Sequence, residues 1–239
     1  MKYLELTFAD PASNLACDEA LLELFEMEHL DDGLLRLWQP ENYFVVLGHS
    51  NRLSTEANVP ACVAAGIPVL RRVSGGGAVL QGPGCLNYSI FLDSHVHDVR
   101  NIETGFRYVL ERHRQLISEL ACEEVRIAGT SDLTVAGRKF SGNAQYRKSR
   151  YVLVHGTFLL ELDLSVIDGC LHLPTKQPGY RRNRPHLDFV TNLGLDGDRI
   201  RSGLRDRWRA ADTFDPTPLD QVERLVRLRY GREEWSSKF

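Results

Sequence analysis

The sequence lacks the features that mark membrane-spanning, secreted and metal-stapled proteins. No apolar run among its 239 residues reaches the roughly 18 residues of a membrane-spanning helix, and no charged and apolar leader follows Met1. The five cysteines, at positions 17, 62, 85, 122 and 170, form no Cys-x-x-Cys pair, and the eight histidines show no metal-ligand spacing. We therefore expect no membrane insertion, no secretion, no structural metal site, and the reducing cytoplasm as the compartment.

Long runs of one charge sign are also absent. The net charge is −3, and no block of basic residues argues for binding to nucleic acid. Hydrophobic residues make up 43% of the chain, which is enough for a full core. We predict one domain over residues 1–239, with a core over about residues 1–195 and a short helical extension over about residues 196–239.

The first motif with chemical content is the segment from Arg71 to Leu80, which reads Arg-Arg-Val-Ser-Gly-Gly-Gly-Ala-Val-Leu. An apolar strand that ends in two arginines runs here into Ser74 and three glycines. Glycine has no Cβ, so a ligand can lie directly against the peptide plane. Free N–H groups in such a turn, with guanidinium groups beside them, form a concavity for an anion. A tight hairpin corner with surface arginines is the alternative.

A second motif lies at residues 129–145 and is followed by His-Gly-Thr at residues 155–157. Apolar and polar residues alternate before the turn at Ala136-Gly137, and a strand over residues 151–162 returns, which predicts a β-hairpin. Lys139 lies just past the turn, before a run of small residues. An exposed hairpin lysine is the alternative, since most lysines are exposed.

The remaining pattern predicts an α+β fold, with mixed and antiparallel β-sheets flanked by α-helices and the site on one face of a sheet. Apolar residues recur at helical spacing over residues 102–121, and Asp10-Pro11 offers an N-cap and a first-turn proline to an earlier helix. Residues 69–80 and 86–92 are expected to form a hairpin around the glycines. Further strands are expected over residues 3–8, 34–38 and 43–47, and further helices over residues 57–65, 164–171, 204–212 and 217–231.

Residues 174–185 form a basic loop in which prolines and a glycine prevent regular structure. Charged loops are usually solvated. Because this one follows the Lys139 hairpin closely, we expect a lid that closes on phosphate or a surface that meets an acidic protein partner. Its basic residues are Lys176, Arg181, Arg182 and Arg184.

These residue types fit the activation of a carboxylic acid as an acyl-adenylate. Such a site must align the carboxylate with the α-phosphate, counter the charge at phosphorus and exclude water. The compact ammonium of Lys139 is the candidate for the charge, and Arg72 is the candidate for holding phosphate. Asp132 is expected to hold Mg²⁺ or to orient Lys139, and Asn87 to polarise an adenylate or ribose oxygen. His155 is a candidate base, and a structural role is the alternative.

Five ordered segments resemble the catalytic domain of the lipoate–protein ligase A family, over roughly residues 1–195. They read Arg-Arg-x-Ser-Gly-Gly-Gly-Ala-Val, Leu-Asn-Tyr-Ser, Ser-Asp-Leu, Gly-Arg-Lys-x-Ser-Gly-Asn-Ala-Gln and His-Gly-Thr. The resemblance implies a biotin/lipoate protein ligase-like domain that activates lipoate or octanoate with ATP and Mg²⁺ and joins it to a lysine of a lipoyl-carrier protein. It also implies that Lys139 contacts both lipoate and the adenylate.

The resemblance and the residue chemistry together give two sets of candidate contacts. Expected nucleotide contacts are Arg72, Gly75, Gly76, Gly77, Ala78, Val79, Leu80, Asn87, Asp132 and Lys139. Expected lipoate contacts are Arg72, Ser74, Gly75, Gly76, Lys139, Ser141, Gly142, Ala144, His155 and Gly156.

Two features depart from the family's pattern. The glycines are usually followed by an aromatic residue and His-Asp, whereas this chain has Leu80-Gln81-Gly82. Residues 211–239 are too few for the accessory domain that many relatives carry. The enzyme is therefore expected to act alone or with a separate accessory polypeptide.

An octanoyltransferase is the main alternative, because it passes an acyl group through a cysteine thioester without ATP. Cys170 follows the strand of His155 roughly where one transferase class keeps its nucleophile, although a few residues early. Cys122 lies near the place that another class uses. A non-catalytic lipoate-binding relative is a further alternative. A biotin ligase is disfavoured, because no Gly-Arg-Gly-Arg-type loop is present.

Overall fold

The chain folds into two β-sheets with helices around them, in a computed structural model that describes residues 1–30 and 32–239. The strands are β1 Lys2–Glu5, β2 Leu34–Trp38, β3 Phe44–Leu47, β4 Val69–Arg71, β5 Val79–Gln81, β6 Cys85–Asp93, β7 Val125–Ala128, β8 Asp132–Val135, β9 Arg138–Arg147, β10 Tyr151–Leu159 and β11 Asp212–Thr213. The helices are α1 Pro11–Glu28, α2 Leu53–Glu56, α3 Val59–Ala64, α4 Ile102–Ala121, α5 Leu164–Cys170, α6 His186–Phe189, α7 Gly197–Trp208, α8 Leu219–Leu225 and α9 Glu233–Ser236. A 3₁₀ turn covers Gly179–Arg181, and α8 continues into a π-turn over Val226–Tyr230.

The larger sheet has the strand order β11-β1-β2-β6-β10-β9-β8-β7, and the smaller sheet has the order β4-β3-β5. Strand β1 runs parallel to both of its neighbours, and every pairing from β2 to β7 is antiparallel. In the smaller sheet, β3 is parallel to β4 and antiparallel to β5. The predicted α+β fold with mixed and antiparallel sheets is therefore confirmed.

The expected hairpin of residues 69–80 with residues 86–92 is wrong. Strands β4 and β5 flank β3, and the glycines connect them, whereas β6 lies in the other sheet between β2 and β10. The chain changes sheets at Gly82-Pro83-Gly84. Gly84 has a φ of +89°, and a Cβ there would lie 2.3 Å from the backbone of Glu161, so only glycine fits this crossing.

The sequence pattern also missed β9, which pairs with β8 on one side and β10 on the other. The strand expected to return from the turn was residues 151–162, but the small residues after Lys139 lie in the middle of a ten-residue strand that forms the hairpin with β8. Helix α7 begins and ends earlier than the expected span of residues 204–212. Asp196 caps it by accepting a hydrogen bond from the N–H of Asp198, and residue 212 belongs to β11.

Two predicted helix boundaries are confirmed by their caps. Asp10 accepts hydrogen bonds from the N–H groups of Ala12 and Ser13, and Pro11 opens α1. Helix α4 covers Ile102–Ala121, and Asn101 and Thr104 form a reciprocal capping box at its start.

Apolar clusters cover both faces of the larger sheet. Helices α4 and α7 pack on one face, and α1 and α8 pack on the other. A third cluster joins the smaller sheet to α5 and α6. These elements lie on the same face of the larger sheet as α1. The cavity described below lies on that face.

Residues 196–239 pack against the rest of the chain through α7, α8 and α9. At the end of this segment, Arg71 is fully buried and donates hydrogen bonds to the carbonyl oxygens of Trp235 and Ser236, at 3.0 and 2.8 Å. Arg71 also donates to the carbonyls of Gly48 and Asn51. Arg71 therefore holds the C-terminal helix to β4.

Within the described residues, none of the helices combines the length and the apolar character needed to cross a lipid bilayer.

Candidate active site

The strand register places two rows of side chains on one face of the larger sheet. Residues that share a row lie side by side on adjacent strands, and alternate residues of a strand share a face. Except for the fully buried Arg36, the residues of both rows line the floor of a cavity of about 360 Å³, a volume typical of small-molecule sites. The first row is Trp38, Asn87, Thr157, Gly142 and Asp132. The second row is Arg36, Ser89, His155 and Ala144.

Lys139 reaches this floor because of a β-bulge. The pairing of β8 with β9 shifts between Leu133 and Thr134, so Phe140 is an extra residue on β9. An extra residue reverses the alternation of side chains along the rest of the strand. The bulge therefore places Lys139 on the cavity face, and its carbonyl accepts a hydrogen bond from the N–H of Thr191 at 2.8 Å.

The ammonium of Lys139 lies 2.8 Å from Oδ1 of Asp132. The hydroxyl of Tyr180 donates to Oδ2 of the same carboxylate at 2.7 Å. Because the Lys139 side chain is 24% exposed and that of Asp132 is 9% exposed, this ion pair is partly shielded from water. A Cβ on Gly142 would lie 2.6 Å from Nζ of Lys139, so glycine at this position makes room for the amine.

The glycine loop between β4 and β5 forms the opposite wall of the cavity. Arg72 is buried and donates from Nη2 to the carbonyls of Gly75 and Gly77, at 2.7 and 3.0 Å. Burial lowers the pKa of Arg72 to about 10, so its guanidinium stays charged at neutral pH. Its Nη1 donates to no group among residues 1–30 and 32–239. The guanidinium thus shapes the loop and keeps donors for a ligand.

The N–H groups of the glycine loop are unpaired. Within the part of the chain that the structure describes, the N–H groups of Gly75, Gly76, Gly77 and Ala78 donate to no protein acceptor. Backbone N–H groups of this kind bind anions. Anion binding by this loop stays a prediction; Gly76, Gly77, Ala78, Val79 and Leu80 line the cavity, whereas Ser74 and Gly75 do not.

Ser74 and His155 belong to a hydrogen-bonded chain beneath this loop. Oγ of Ser74 lies 2.7 Å from Nε2 of His155, and Nδ1 of His155 lies 3.2 Å from Oδ2 of Asp18. Burial disfavours the charged form of Asp18, but Arg36 and the hydrogen bonds from His155 and Ser89 outweigh it, so its pKa is lowered. Both ring nitrogens of His155 are engaged, which favours a positioning role over that of a base.

Asn87 lies in a closed ring of hydrogen bonds with two residues that the sequence analysis did not assign. Asn87 donates to Gln81 at 2.9 Å, Gln81 donates to Thr157 at 2.7 Å, and Thr157 donates back to Asn87 at 2.5 Å. All three residues line the cavity. Thr157 belongs to the His-Gly-Thr motif, so this motif was the one feature of the sequence that pointed to a role for Thr157 in the site.

Two of the residues expected to contact lipoate, Gly142 and Gly156, are glycines because a side chain there would collide with a neighbour. Gly142 makes room for Lys139, and a Cβ on Gly156 would lie 1.7 Å from Oδ1 of Asn143. That amide oxygen accepts hydrogen bonds from Tyr88 at 2.5 Å and from Ser141 at 3.3 Å. Ser141, Gly142, Ala144, His155 and Gly156 all line the cavity.

The basic loop covers the cavity, but its arginines differ in environment. Arg181 is buried, lines the cavity and contacts Nδ1 of His186 at 3.3 Å. Arg182 is exposed, with a φ of +53°. Arg184 donates to the carbonyl of Gly137. The loop thus turns one arginine inward and one outward.

The cysteines lie away from the cavity. None of the five is among the described residues that line it. Cys170 is 4% exposed, and its carbonyl accepts a contact from the thiol of Cys62 at 3.7 Å. Cys122 is exposed and ends α4.

Lys139 and Tyr180 each engage one oxygen of Asp132. No group of three or more His, Cys, Asp or Glu residues within the described ranges could hold a metal ion by itself. The ion pair has the geometry that orienting Lys139 requires, and both expected roles of Asp132 stay predictions.

Comparison with known proteins gives the family. The profile of the lipoyl protein ligase A/B catalytic domain matches residues 10–195. A candidate lipoate-protein ligase A of Aeropyrum pernix is 32% identical over 165 residues, which cover 69% of this chain and 59% of that protein. The octanoyltransferase LipM of Brevibacillus brevis is 24% identical and aligns over 98% of both chains.

Solved structures have the same fold. A crystal structure of lipoate-protein ligase A bound with ATP has a TM-score of 0.85 at 22% identity, covering 99% of this chain and 98% of that one. A bipartite lipoate protein ligase of Thermoplasma acidophilum, studied with its E2 lipoyl domain, has a TM-score of 0.81 at 23% identity, with coverage of 99% and 95%. By its sequence and its fold, this chain belongs to the lipoate–protein ligase family, within the lipoyl protein ligase A/B catalytic domain group.

Proposed function

We propose that this chain is an ATP-dependent lipoate–protein ligase. In the first step, the lipoate carboxylate attacks the α-phosphate of ATP, forming lipoyl-AMP and releasing pyrophosphate. In the second step, the amine of a carrier lysine attacks the acyl carbon, forming an amide and releasing AMP and a proton. One observation carries the proposal: Lys139 lines the same cavity as Gly76, Gly77 and Ala78, whose N–H groups have no acceptor among the described residues.

Lys139 supplies positive charge where negative charge develops. Its ammonium hydrogen-bonds the attacking carboxylate oxygen and a non-bridging oxygen of the α-phosphate, and Asp132 fixes its direction. A preorganised donor of this kind stabilises the transition state without reorganisation cost. The N–H groups of the glycine loop and Nη1 of Arg72 bind the remaining phosphate oxygens.

The roof of the cavity keeps water from the adenylate. Arg181 of the basic loop lines the cavity, and Tyr180 of the same loop donates a hydrogen bond to Asp132. Excluding water protects a reactive intermediate from hydrolysis. Mg²⁺ enters with ATP as a counter-ion of its phosphates, as is usual for this ion, and no residue of the chain is assigned to it.

The carrier is a lipoyl domain with an acceptor lysine, as in the Thermoplasma system. A separate accessory polypeptide is a second proposed partner. Free thiols at all five cysteines fit a reducing cytoplasm as the site of action.

The test is a reaction of the purified chain with lipoate, ATP, Mg²⁺ and a lipoyl domain. We expect pyrophosphate release, and a mass increase of the lipoyl domain that requires ATP. The matched controls omit ATP, replace lipoate with octanoate, or use a carrier domain whose acceptor lysine is replaced by arginine. Acyl transfer from an octanoyl-carrier protein without ATP, and none from lipoate with ATP, would contradict the proposal.

An octanoyltransferase is the second candidate, and the full-length alignment with LipM favours it. That chemistry needs a thiolate nucleophile in the cavity. Because no cysteine lies among the cavity-lining residues in the described ranges, Cys170 has to move from its buried place to react. The ligase chemistry requires no such movement, which is why we prefer it.

A further inference from the structure

A buried carboxylate beneath the basic loop has no protein partner. Glu56, the last residue of α2, is 7% exposed and lines the cavity. Its carboxylate accepts no hydrogen bond and forms no ion pair with any of residues 1–30 and 32–239. Its oxygens are open to the cavity, because neither is a fully buried atom without a partner. A ligand in the cavity is therefore the natural source of a donor.

The backbone, and not the side chain, fixes the position of Glu56. Its carbonyl accepts a hydrogen bond from the N–H of His172 at 3.0 Å, and its own N–H donates to the carbonyl of Arg52 at 3.2 Å. The next residue, Ala57, forms a β-bridge with Leu171. These bonds use only backbone atoms, so they do not depend on the side chain at position 56. They therefore do not explain why this residue carries a carboxylate.

Strand β5 divides the cavity into two apolar ends, because successive side chains of a strand point to opposite faces. Val79 packs with the α1 cluster, together with Leu15, Trp38 and Val46. The residues on either side of Val79 pack with the α5 cluster instead. The cavity-lining side chains of that second end are Ala78, Leu80, Leu159, Ile167, Leu171 and Phe189.

Glu56 belongs to the second end, since its neighbours Ala57 and Leu171 are part of the α5 cluster. A saturated acyl chain offers no hydrogen-bond donor and suits the first end, which has no carboxylate of this kind. A heteroaromatic ring with an amino group suits the second end, because its faces contact apolar side chains and its amine donates to a carboxylate, which can only accept.

We infer that Glu56 reads the nucleotide base by accepting a hydrogen bond from the exocyclic amine of adenine. The inference rests on the proposed function for the identity of the nucleotide. Glu56 is then a specificity-determining residue, distinct from the groups around Lys139 that act on the phosphate and the acid.

The experiment measures equilibrium binding without lipoate, so that no chemistry is needed. ATP is compared with purine riboside triphosphate, which lacks the 6-amino group, by calorimetry on the wild type, Glu56→Gln and Glu56→Ala. Asp168→Asn is the matched control, because Asp168 is an exposed acid of α5 that does not line the cavity. Thermal unfolding of each variant checks the fold.

We expect wild type and Asp168→Asn to bind ATP roughly 10- to 100-fold more tightly than the analogue, as one hydrogen bond to a charged group would give. Glu56→Ala should bind both nucleotides alike, and Glu56→Gln should retain part of the preference through its amide oxygen. Wild type that binds both nucleotides equally, or Glu56→Ala that keeps the preference, would overturn the inference. If ATP binds with this preference but lipoate and ATP release no pyrophosphate, the proposed function fails and the reading of the base stands.

Discussion

The hydroxyl of Tyr180 donates to Oδ2 of Asp132 at 2.7 Å, while Oδ1 of the same carboxylate pairs with Lys139 at 2.8 Å. One carboxylate thus links the basic loop to the amine of Lys139. Burial and the nearby charge of Asp132 raise the pKa of Tyr180 well above its usual range. Tyr180 therefore keeps its proton and remains a hydrogen-bond donor at any physiological pH.

Tyr180→Phe should slow adenylate formation about tenfold, because Asp132 loses a donor that helps to fix it. The free energy of unfolding should change little, since the aromatic ring still packs on Phe189. Pyrophosphate release measured against lipoate and ATP checks this. Tyr43→Phe is the control, because its ring contacts Gly82 outside the cavity. If Tyr180→Phe and Tyr43→Phe release pyrophosphate at equal rates, the hydrogen bond between Tyr180 and Asp132 has no catalytic role.

Lys139→Ala should reduce adenylate formation by about 10²–10³-fold or more, as expected when a preorganised charged donor is removed. The fold should survive, because the bulge is held by backbone bonds that the substitution keeps. Lys148→Ala serves as the control, since Lys148 forms a partly exposed ion pair with Glu23 at 3.6 Å. Pyrophosphate release near the wild-type rate in Lys139→Ala would remove the residue from the mechanism.

Cys170→Ser should keep most of the ligase activity, because adenylate chemistry needs no thiol. Placing a hydroxyl in this buried position should cost about 1–3 kcal/mol of stability. Cys122→Ser, at an exposed position, should change neither property. Complete loss of acyl transfer in Cys170→Ser, with a thioester trapped on the wild-type chain, would make the transferase the correct assignment.

Arg181 and Arg182 should affect different steps, because one lines the cavity and the other faces solvent. Arg182→Ala should raise the apparent KM for the carrier several-fold and weaken its salt dependence, because exposed charges steer association. Arg181→Ala should instead lower the rate of adenylation. Measuring both KM values and the adenylation rate at two salt concentrations separates these effects. Unchanged carrier kinetics in Arg182→Ala would mean that the outer part of the loop is only solvated.

His113 should make the fold sensitive to mild acid. Burial and then the charge of Arg112 lower the pKa of this fully buried histidine from 6.5 to about 3. Between these values the unfolded chain binds more protons, so stability is full above pH 6.5 and is lost as the pH falls below it. His113→Gln, whose amide oxygen can still accept from Trp208 Nε1, should lose less stability than wild type between pH 6.5 and 4.5 in urea unfolding. If wild type and His113→Gln lose the same stability over this pH range, groups other than His113 cause the acid sensitivity.

The sequence predicted the fold class and the glycine-rich connection after the strand that ends at Arg71, because each depends on local residue types. It did not predict how Lys139 enters the cavity. A β-bulge is a property of two paired strands, and the register of β8 with β9 cannot be read from either strand alone. The same reason explains the missed strand β9, where glycine at position 142 makes room for Nζ of Lys139.

The roles of Tyr180 and Gln81 also depended on long-range contacts. Tyr180 is 48 residues from Asp132 in sequence, and Gln81 is 76 residues from Thr157. Their residue types carry no signal for these pairings. Arg72 was expected to hold phosphate, and all three of its side-chain hydrogen bonds in the structure shape the glycine loop, because a buried guanidinium must satisfy several donors at once.

The floor of the cavity consists of central strands, and this has a consequence for amide hydrogen exchange. Strands β6 and β10 pair over nine residues in the middle of the larger sheet, so their amides should exchange only through global unfolding. The Gly179–Arg181 turn and the N–H groups of the glycine loop have no such pairing. Nucleotide binding should therefore slow exchange in those two segments and leave the floor unchanged, so that a deuterium-uptake map separates the parts that receive the ligand from those that support it.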